Sequence, residues 1–408
     1  MSLSFLPAGP ARRPVLLLAL GAFALGTDAF VISGVLPAVA RDLGVSLTVG
    51  GLLITMFSGV YAVGGPVLAV VTGNLPRRRV MLAALGVFIV ANVLAAVAPS
   101  YGVLAIARVL AAIGAATYTP AAAATATSLA APEERGRALT TVLGGLAIAN
   151  AVGVPLGTLI GQKASWHATF LMVAALGLIA LCGLARSLGP VPTVGAASLA
   201  QRVEVARIRA VPATLGALAF SICGVFTLYT YLAWFAGRVG GVSGGALTLI
   251  YLLFGITSVI SNFTAGWLID RRSPIKVAAA SIACVGVIFV GLTMVTGRYE
   301  LGILVMLWGL ASWMFYPGIQ KILATAAGPR AAIALSLAAS SLYAGQAVSG
   351  VLGGALLHYG PATLCGAAAL CEVIALGFLA LAARRLAARV PESADGRGAP
   401  EPAVSRRG

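Results

Sequence analysis

Long apolar runs separated by short polar segments dominate the chain. Twelve of these runs are long enough to cross a bilayer as α-helices, which takes about 20 apolar residues each. Their approximate limits are 15–38, 48–73, 80–98, 102–126, 138–161, 167–188, 213–236, 246–268, 276–296, 300–326, 333–356 and 362–383. The pattern predicts an all-α polytopic membrane protein with twelve transmembrane helices.

The composition supports this fold class and excludes others. Of the 408 residues 60% are hydrophobic and only 9% are charged, and the mean hydropathy is +1.01. A soluble domain carries about 25% charged residues, so too few polar groups are present to cover this much apolar surface in water. A soluble multi-domain enzyme is therefore excluded. Disorder of the whole chain is excluded as well, because disordered chains are poor in apolar residues.

The basic residues are distributed unevenly between the two sides of the membrane. With the amino terminus assigned to the cytoplasm, 22 of the 27 Lys and Arg residues fall on that side and 4 on the outer side; the one left, Arg108, lies inside a span. Cytoplasmic loops of membrane proteins carry such an excess. Both termini are thus predicted to be cytoplasmic. The formal net charge of +16 follows from this topology, and no nucleic-acid partner is predicted.

One long polar connection divides the chain into two halves of six spans. It covers 189–212 and contains a stretch at 201–209 that can form a short surface helix. The predicted organisation is a cytoplasmic tail at 1–14, a six-helix bundle at 15–188, a cytoplasmic linker at 189–212, a second six-helix bundle at 213–383 and a disordered cytoplasmic tail at 384–408.

The two halves repeat one another in short motifs. GNLPRRR at 73–79 follows the second span and GWLIDRR at 266–272 follows the eighth; GVPLG at 153–157 in the fifth span matches GVLGG at 350–354 in the eleventh. Two bundles related by a pseudo-two-fold axis are a known plan for transporters, whose site lies between the halves. The candidate gating residues in the two loops are Gly73, Arg77, Arg78, Arg79, Gly266, Asp270 and Arg271.

Asp28 and Arg108 are charged residues inside predicted spans, at broadly similar depth. A charge at the bilayer centre costs about 2.5–3.5 kcal/mol on insertion scales, and such residues usually serve a function. We therefore hypothesise that Asp28 alternates between a protonated form and an ionised form that Arg108 or a cationic substrate neutralises. The alternative is a static ion pair that only fixes the packing of two helices.

Glycines in the fifth span form one smooth helix face. Gly153, Gly157 and Gly161 recur every four residues, and Pro155 stands between the first two. Small residues at this spacing let helices approach closely, and a proline inside a helix bends it. The motif predicts a tight, kinked contact with the opposite half, which can seal or separate as the halves move.

Several aromatic and polar residues are candidates for the substrate cavity, although helix packing accounts for each of them as well. These are Phe30, Tyr118, Asn150, Phe226 and Tyr229. Tyr231 and Trp234, near the outer end of the seventh span, are interpreted as anchors at the membrane interface. For Glu372 in the last span three interpretations stay open: it faces a cavity, it faces a neighbouring helix, or the boundary of the span is misplaced. No metal site and no cofactor are predicted.

The chain resembles the major facilitator superfamily, and within it the bacterial twelve-span drug:proton antiporters near the chloramphenicol and arabinose-type efflux proteins. The resemblance extends over 15–383, and its most specific parts are GTDAFVISGVLPAVARDLGVS in the first span and GVPLGTLIGQ in the fifth. The second segment is similar to the antiporter motif, which is associated with export. The resemblance also implies that Arg108, in IARVLAAIGAA, takes part in proton coupling and that Asp28 occupies the acidic position of the first span.

The sequence departs from the family pattern in two places. The loop at 73–79 lacks the aspartate of G-x-x-x-D-R-x-G-R-R, whereas Asp270 preserves that acid in the second half. In the fourth span Ala111 and Ala112 stand where Gln and Gly are typical.

The sequence as a whole predicts a proton-coupled exporter of small, fairly apolar compounds, monomeric in a bacterial inner membrane. Its predicted partners are a small-molecule substrate, protons and the lipid bilayer. A sugar or metabolite exporter of the same fold and a non-transporting membrane receptor are the alternatives. An enzyme is not predicted, because the spans contain no H-E-x-x-H motif, no Ser–base pair and no metal cluster, and the two histidines lie at loop edges. No phosphate-binding G-x-x-x-x-G-K-[ST] loop occurs either, so no nucleotide is predicted to drive transport.

Overall fold

The computed structural model describes residues 11–189, 191 and 197–388, which form α-helices and short helical turns with no β-strand among them. The predicted tails fall largely outside these residues. Where described, they are helical: the first helix starts at Arg12 and the last continues to Ala387.

Sixteen α-helices follow one another along the described chain. They are α1 (Arg12–Asp42), α2 (Leu47–Val71), α3 (Arg77–Ala96), α4 (Tyr101–Leu129), α5 (Arg135–Ile148), α6 (Val154–Lys163), α7 (Trp166–Ser187), α8 (Leu199–Ala206), α9 (Ala210–Thr230), α10 (Leu232–Gly240), α11 (Gly244–Arg271), α12 (Pro274–Leu292), α13 (Arg298–Ser312), α14 (Phe315–Ala327), α15 (Ala331–Leu356) and α16 (Pro361–Ala387). α-Helices suit the apolar core of a bilayer, because each helix satisfies its backbone hydrogen-bonding groups internally where no water is available.

These helices make twelve crossings of a membrane. The described residues contain eleven helical stretches that are long and apolar enough to span, and one of them, Arg298–Tyr359, has 62 residues. At about 1.5 Å per residue this stretch is roughly three times the bilayer core in length. It turns at Gly328, where φ is +56°, and so crosses twice. The prediction of twelve spans is confirmed.

Three of the spans are interrupted. The fifth combines α5 and α6 with the π-helical turn Ala149–Gly153 between them, the seventh combines α9 and α10, and the tenth combines α13 and α14. Pro155 accounts for the first interruption, because it has no N–H to donate and its ring displaces the preceding turn. The wider turn is visible in the bond from the Val154 N–H to the Ala149 carbonyl, five residues back.

Two bundles of six spans meet along two lines of contact. Within the amino-terminal bundle α3 lies against α4 and α7, and α1 against α5 and α7; in the carboxyl-terminal bundle α16 lies against α9 and α12. Between the bundles α2 lies along α15, and α11 lies along the π-turn and α6. In the predicted orientation, the end of the molecule where α1 starts is the inner face and the end where α2 starts is the outer face.

The bundles are joined most closely toward the outer face. Thr48 and Thr55 of α2 donate their hydroxyl hydrogens to the backbone carbonyls of Gly354 and Ala347 on α15, both at 2.8 Å. We call these two bonds the outer seal. Toward the inner face the packing of α2 loosens, since no residue from 62 to 72 is buried. In the predicted orientation, the conformation is closed on the outer side.

The linker contains the predicted short surface helix, as α8, and it is attached to the carboxyl-terminal bundle. Arg202 donates to the Ser336 hydroxyl at 2.7 Å, and Glu204 pairs with Arg330 at 2.7 Å. Burial lowers the pKa of the Arg202 guanidinium. Because Glu204 and Arg330 are about half exposed, their ion pair adds little stability, and Arg202 is the firmer anchor.

Candidate functional site

Asp28 and Arg108 form a buried ion pair between α1 and α4. Arg108 Nη1 donates to Asp28 Oδ1 at 2.7 Å, and Nη2 donates to the Asp28 backbone carbonyl at 3.2 Å. The two side chains are 0% and 1% exposed. Asp28 Oδ2 and Arg108 Nε are buried without a hydrogen-bond partner among the described residues. The two charges predicted inside the membrane therefore neutralise one another.

This geometry makes the pair sensitive to a single proton. Buried charges are stable only when paired, and removing one partner of such a pair costs about 3–5 kcal/mol, because the other charge remains uncompensated. Protonation of Asp28 would leave the Arg108 guanidinium without its counter-charge, and Asp28 Oδ2 has no hydrogen-bond partner among the described residues.

Arg108 also contacts an aromatic ring of α2. Its guanidinium carbon lies 4.5 Å from the centre of the Phe57 ring, within the range of a cation–π interaction. Phe57 in turn lies 6.4 Å from Tyr343 of α15, and Tyr61 stacks on Tyr343 at 3.6 Å with the planes inclined by 24°. A continuous set of contacts thus leads from the ion pair to a ring stack that joins the two bundles. We call Phe57, Tyr61 and Tyr343 the aromatic bridge.

Four of the five cavity candidates come together at the centre of the molecule. Phe30 of α1 and Phe226 of α9 stack across the two bundles with ring centres 5.5 Å apart. The Tyr229 hydroxyl donates to Asn150 Oδ1 of the π-turn at 3.2 Å. In this conformation the bundles therefore meet at the centre through their candidate residues, which occupy the space between them.

Tyr118, the fifth cavity candidate, lies apart from the others. Its hydroxyl donates to the Leu18 backbone carbonyl at 3.0 Å, and the side chain is fully buried. The ring occupies the space beside Gly21, where a Cβ would meet the phenol. These contacts fix α4 against α1 within one bundle.

The glycine face of the fifth span makes the close contact predicted for it, but with a different partner. Gly153, Gly157 and Gly161 lie against Thr27, Val31 and Val35 of α1, and a Cβ at any of the three would collide with its partner. Both helices belong to the same bundle, so the prediction of a contact with the opposite half is wrong. That contact is made by the π-turn, since Gly255 of α11 lies directly against the backbone of Asn150 and Ala151.

The two candidate gating loops make contacts within their own bundles. Arg78 Nη2 donates to the Ala185 carbonyl of α7 at 2.7 Å, and the Arg271 guanidinium lies 4.1 Å from the centre of the Trp267 ring. Asp270 is exposed at the end of α11. A Cβ on Gly266 would meet open space.

Tyr231 is placed differently from the sequence-based interpretation. It is 1% exposed, at the break between α9 and α10, and its hydroxyl donates to the Gly350 carbonyl at 2.7 Å. Its phenol fills the space over Gly51 of α2, so it belongs with the outer seal. An anchor at the lipid interface is therefore the wrong interpretation for this residue. The described residues contain no group of three or more His, Cys, Asp or Glu able to hold a metal ion.

Sequence comparison places the chain among bacterial transporters. The family model for the Major Facilitator Superfamily matches residues 18–332. The uncharacterized MFS-type transporter YbcL of Bacillus subtilis is 33% identical over 84% of this chain and 88% of its own length. The inner membrane transport protein YdhP of Escherichia coli is 29% identical over 85% and 89%. A chloramphenicol resistance protein of Streptomyces lividans is 30% identical over 66% and 69%.

Structural comparison supports the same fold at much lower sequence identity. The crystal structure of a peptide transporter, POT, superimposes with a TM-score of 0.76 over 91% of this chain and 94% of that one, at 12% identity. With its twelve crossings in two bundles and a family match over most of its length, this multi-pass membrane protein belongs to the Major Facilitator Superfamily of transporters.

Proposed function

We propose that this transporter is a proton-coupled exporter of small, fairly apolar compounds, with Asp28 and Arg108 as its proton site. The observation that carries the proposal is the buried ion pair at 2.7 Å, which lies one ring contact away from a stack joining the bundles. The GVPLG sequence at 153–157 and the 30% identity to a chloramphenicol resistance protein support export.

Coupling would proceed through Arg108. When Asp28 takes up a proton, the guanidinium loses its counter-charge and keeps only the Asp28 backbone carbonyl and the face of Phe57 as close partners. A shift of Arg108 then displaces Phe57 and with it the contact to Tyr343 on the opposite bundle. The ionised pair in a conformation closed on the outer side fits a state that has delivered its proton inward and is ready for substrate.

The proton gradient is sufficient for this work. A charge crossing a membrane gains about 2.3 kcal/mol per 100 mV, so one proton crossing ~150 mV supplies about 3.5 kcal/mol. At about 1.4 kcal/mol per decade of concentration, this sustains a gradient of a few hundred-fold for a neutral substrate.

The central contacts favour apolar, aromatic substrates over sugars. Phe30, Phe226 and Tyr229 supply rings at the meeting point of the bundles, and Asn150 is the polar side chain that joins them. Rings stack on flat apolar molecules, whereas a sugar requires several hydrogen-bonding groups.

Drug susceptibility in a pump-deficient bacterial host tests the proposal. Wild type should raise the inhibitory concentration of at least one apolar compound in a panel that includes chloramphenicol. Asp28→Asn should return it to the level of the empty vector, because the amide cannot bind and release a proton. Asp28→Glu keeps the ionisable group and should retain part of the resistance. Equal membrane levels of the three proteins are the control.

Everted membrane vesicles separate the alternatives. An exporter accumulates the compound inside energised everted vesicles, and the accumulation should collapse when a protonophore dissipates both the pH gradient and the membrane potential. Resistance at the wild-type level from Asp28→Asn would overturn the role of the ion pair. Accumulation of sugars alone would favour the sugar exporter, and absence of any flux with Asp28 intact would favour a receptor.

A further inference from the structure

Glu372 is a second acid buried inside the membrane, in the bundle opposite to Asp28. It lies on α16 and is 1% exposed. Its Oε2 accepts a hydrogen bond from the Ser221 hydroxyl of α9 at 2.7 Å, and Oε1 has no partner among the described residues. The proton site proposed above makes no use of it.

The surroundings of Glu372 offer no positive charge. The neighbours of Glu372 on α9 are Ser221, Cys223 and Gly224. A Cβ built on Gly224 would lie 2.9 Å from Glu372 Oε1. The neighbour on α12 is Gly286. The helix that carries Glu372 adds Cys371. None of these groups can carry a positive charge, since they are one hydroxyl, two thiols and two glycines.

The basic residues of the packed helices lie far along their axes. Lys276 is ten residues from Gly286 on α12, and Arg384 is twelve residues from Glu372 on α16, which correspond to roughly 15 and 18 Å of helix. Neither α9 nor α15 carries a charged residue within its bounds.

A carboxylate in this position would be an uncompensated charge. Asp28 is stabilised by Arg108, but Glu372 has one neutral hydroxyl in place of a guanidinium. One interhelical hydrogen bond does not offset the desolvation of an ion, so an isolated buried acid takes up a proton instead.

We propose that Glu372 is a second proton-binding site, which holds a neutral carboxylic acid between α9 and α16 in this conformation. This proposal is independent of the role given to Asp28. Ionisation of Glu372 would draw water into the contact between α9 and α16 and displace α9. This helix carries Phe226 and Tyr229, and it leads into Tyr231, which lies beside the outer seal. Binding of this proton therefore holds α9 in position.

Infrared difference spectroscopy of the purified transporter in lipid measures the protonation state directly. At pH 7.5, subtracting the spectrum of Glu372→Gln from that of wild type should leave the carbonyl band of a protonated carboxyl, which shifts in heavy water. Subtracting Asp28→Asn should instead leave carboxylate bands, because Asp28 is paired with Arg108. Carboxylate bands at Glu372 would overturn the proposal, whatever Asp28 shows.

Thermal unfolding in detergent provides a second readout. A group that is neutral when buried and ionised when exposed stabilises the folded state less as the pH rises. The melting temperature of wild type should therefore fall relative to that of Glu372→Gln between pH 5.5 and 8. Ser221→Ala, which keeps the acid and removes only its hydrogen bond, should show the same fall as wild type. Parallel profiles for wild type and Glu372→Gln would contradict a neutral buried acid.

Discussion

At the scale of single residues, the two buried acids show how one side chain decides the state of another. Asp28 accepts a hydrogen bond from a guanidinium, whereas Glu372 accepts one from a hydroxyl and is proposed to hold its proton. Burial is nearly complete for both, so the difference lies in the partner and not in the depth. A sequence reveals the two acids equally well, since any charge is conspicuous in a chain that is 60% hydrophobic.

Phe57 should transmit the state of Arg108 to the opposite bundle. Phe57→Leu keeps an apolar side chain but removes the ring face, and a cation–π contact of about 0.5–2 kcal/mol corresponds to a loss of roughly 2- to 30-fold. We expect proton-driven accumulation in everted vesicles to decrease by a factor within that range, with the protein still folded.

Phe88→Leu is the matched control for Phe57→Leu. Phe88 is also a fully buried ring of the same bundle, but it contacts the glycines of α4 and α7 rather than Arg108. An equal loss of transport in both variants would show that any buried ring matters and would remove the special role of Phe57.

The aromatic bridge was not predictable from the sequence, for a physical reason. Aromatic residues in an apolar span are compatible with lipid, with a neighbouring helix and with the opposite bundle alike. Tyr61 and Tyr343 acquire meaning only once α2 and α15 are adjacent, and no local pattern specifies that adjacency. Asp28 and Arg108, in contrast, could be identified from the sequence, because a charged side chain in the bilayer core is energetically costly and therefore indicates a function.

At the scale of elements, the fifth span combines a smooth face with a break. The glycine spacing predicts close approach correctly, but it does not say which helix approaches. In the structure the glycine face packs against α1, whereas Asn150 and Ala151 of the π-turn pack against α11. One span can thus remain fixed to its own bundle through Gly157 while it presents Asn150 to the other.

Gly157→Ala should loosen the contact between α6 and α1. A Cβ at this position collides with the Val31 side chain, and overpacking of a tight contact costs about 1–3 kcal/mol. We expect a lower melting temperature in detergent, partly restored by adding Val31→Ala. Gly144→Ala in the same span is the control, because a Cβ there has open space. A failure of Val31→Ala to restore stability would argue against this contact as the cause.

At the scale of the whole molecule, the two bundles are held together on one side. The hydrogen bonds of Thr48 and Thr55 join α2 to α15 near the outer face, while the inner part of α2 is not buried. Transport by alternating access requires this contact to open.

A disulfide across the bundles should therefore stop transport. A Cβ built on Gly59 of α2 lies 4.0 Å from the Cβ of Ala347 on α15, within the range of a disulfide. The double variant Gly59→Cys with Ala347→Cys should lose accumulation in everted vesicles after oxidation and regain it after reduction. Each single variant, oxidised in the same way, should continue to transport. Undiminished transport by the cross-linked protein would mean that this contact does not need to open.

Much of the architecture was predictable, because hydrophobic length and charge asymmetry act locally along the chain. The twelve crossings follow from apolar runs of sufficient length. The break between Ser312 and Phe315 is marked by Pro317, which has no N–H to donate to the preceding turn. The break at Tyr231 was not predictable, since no proline or charge lies beside it. Neither was the closed outer side, which depends on how the two halves meet.

The threonine bonds that close the outer side have one further consequence. Each joins a hydroxyl to a main-chain carbonyl, so neither partner carries a formal charge or titrates in the physiological range. Changes of ionic strength and of acidity should leave this closure unaffected. A dependence of turnover on acidity would then have to originate away from this closure, and the buried carboxyl groups of Asp28 and Glu372 are the candidates.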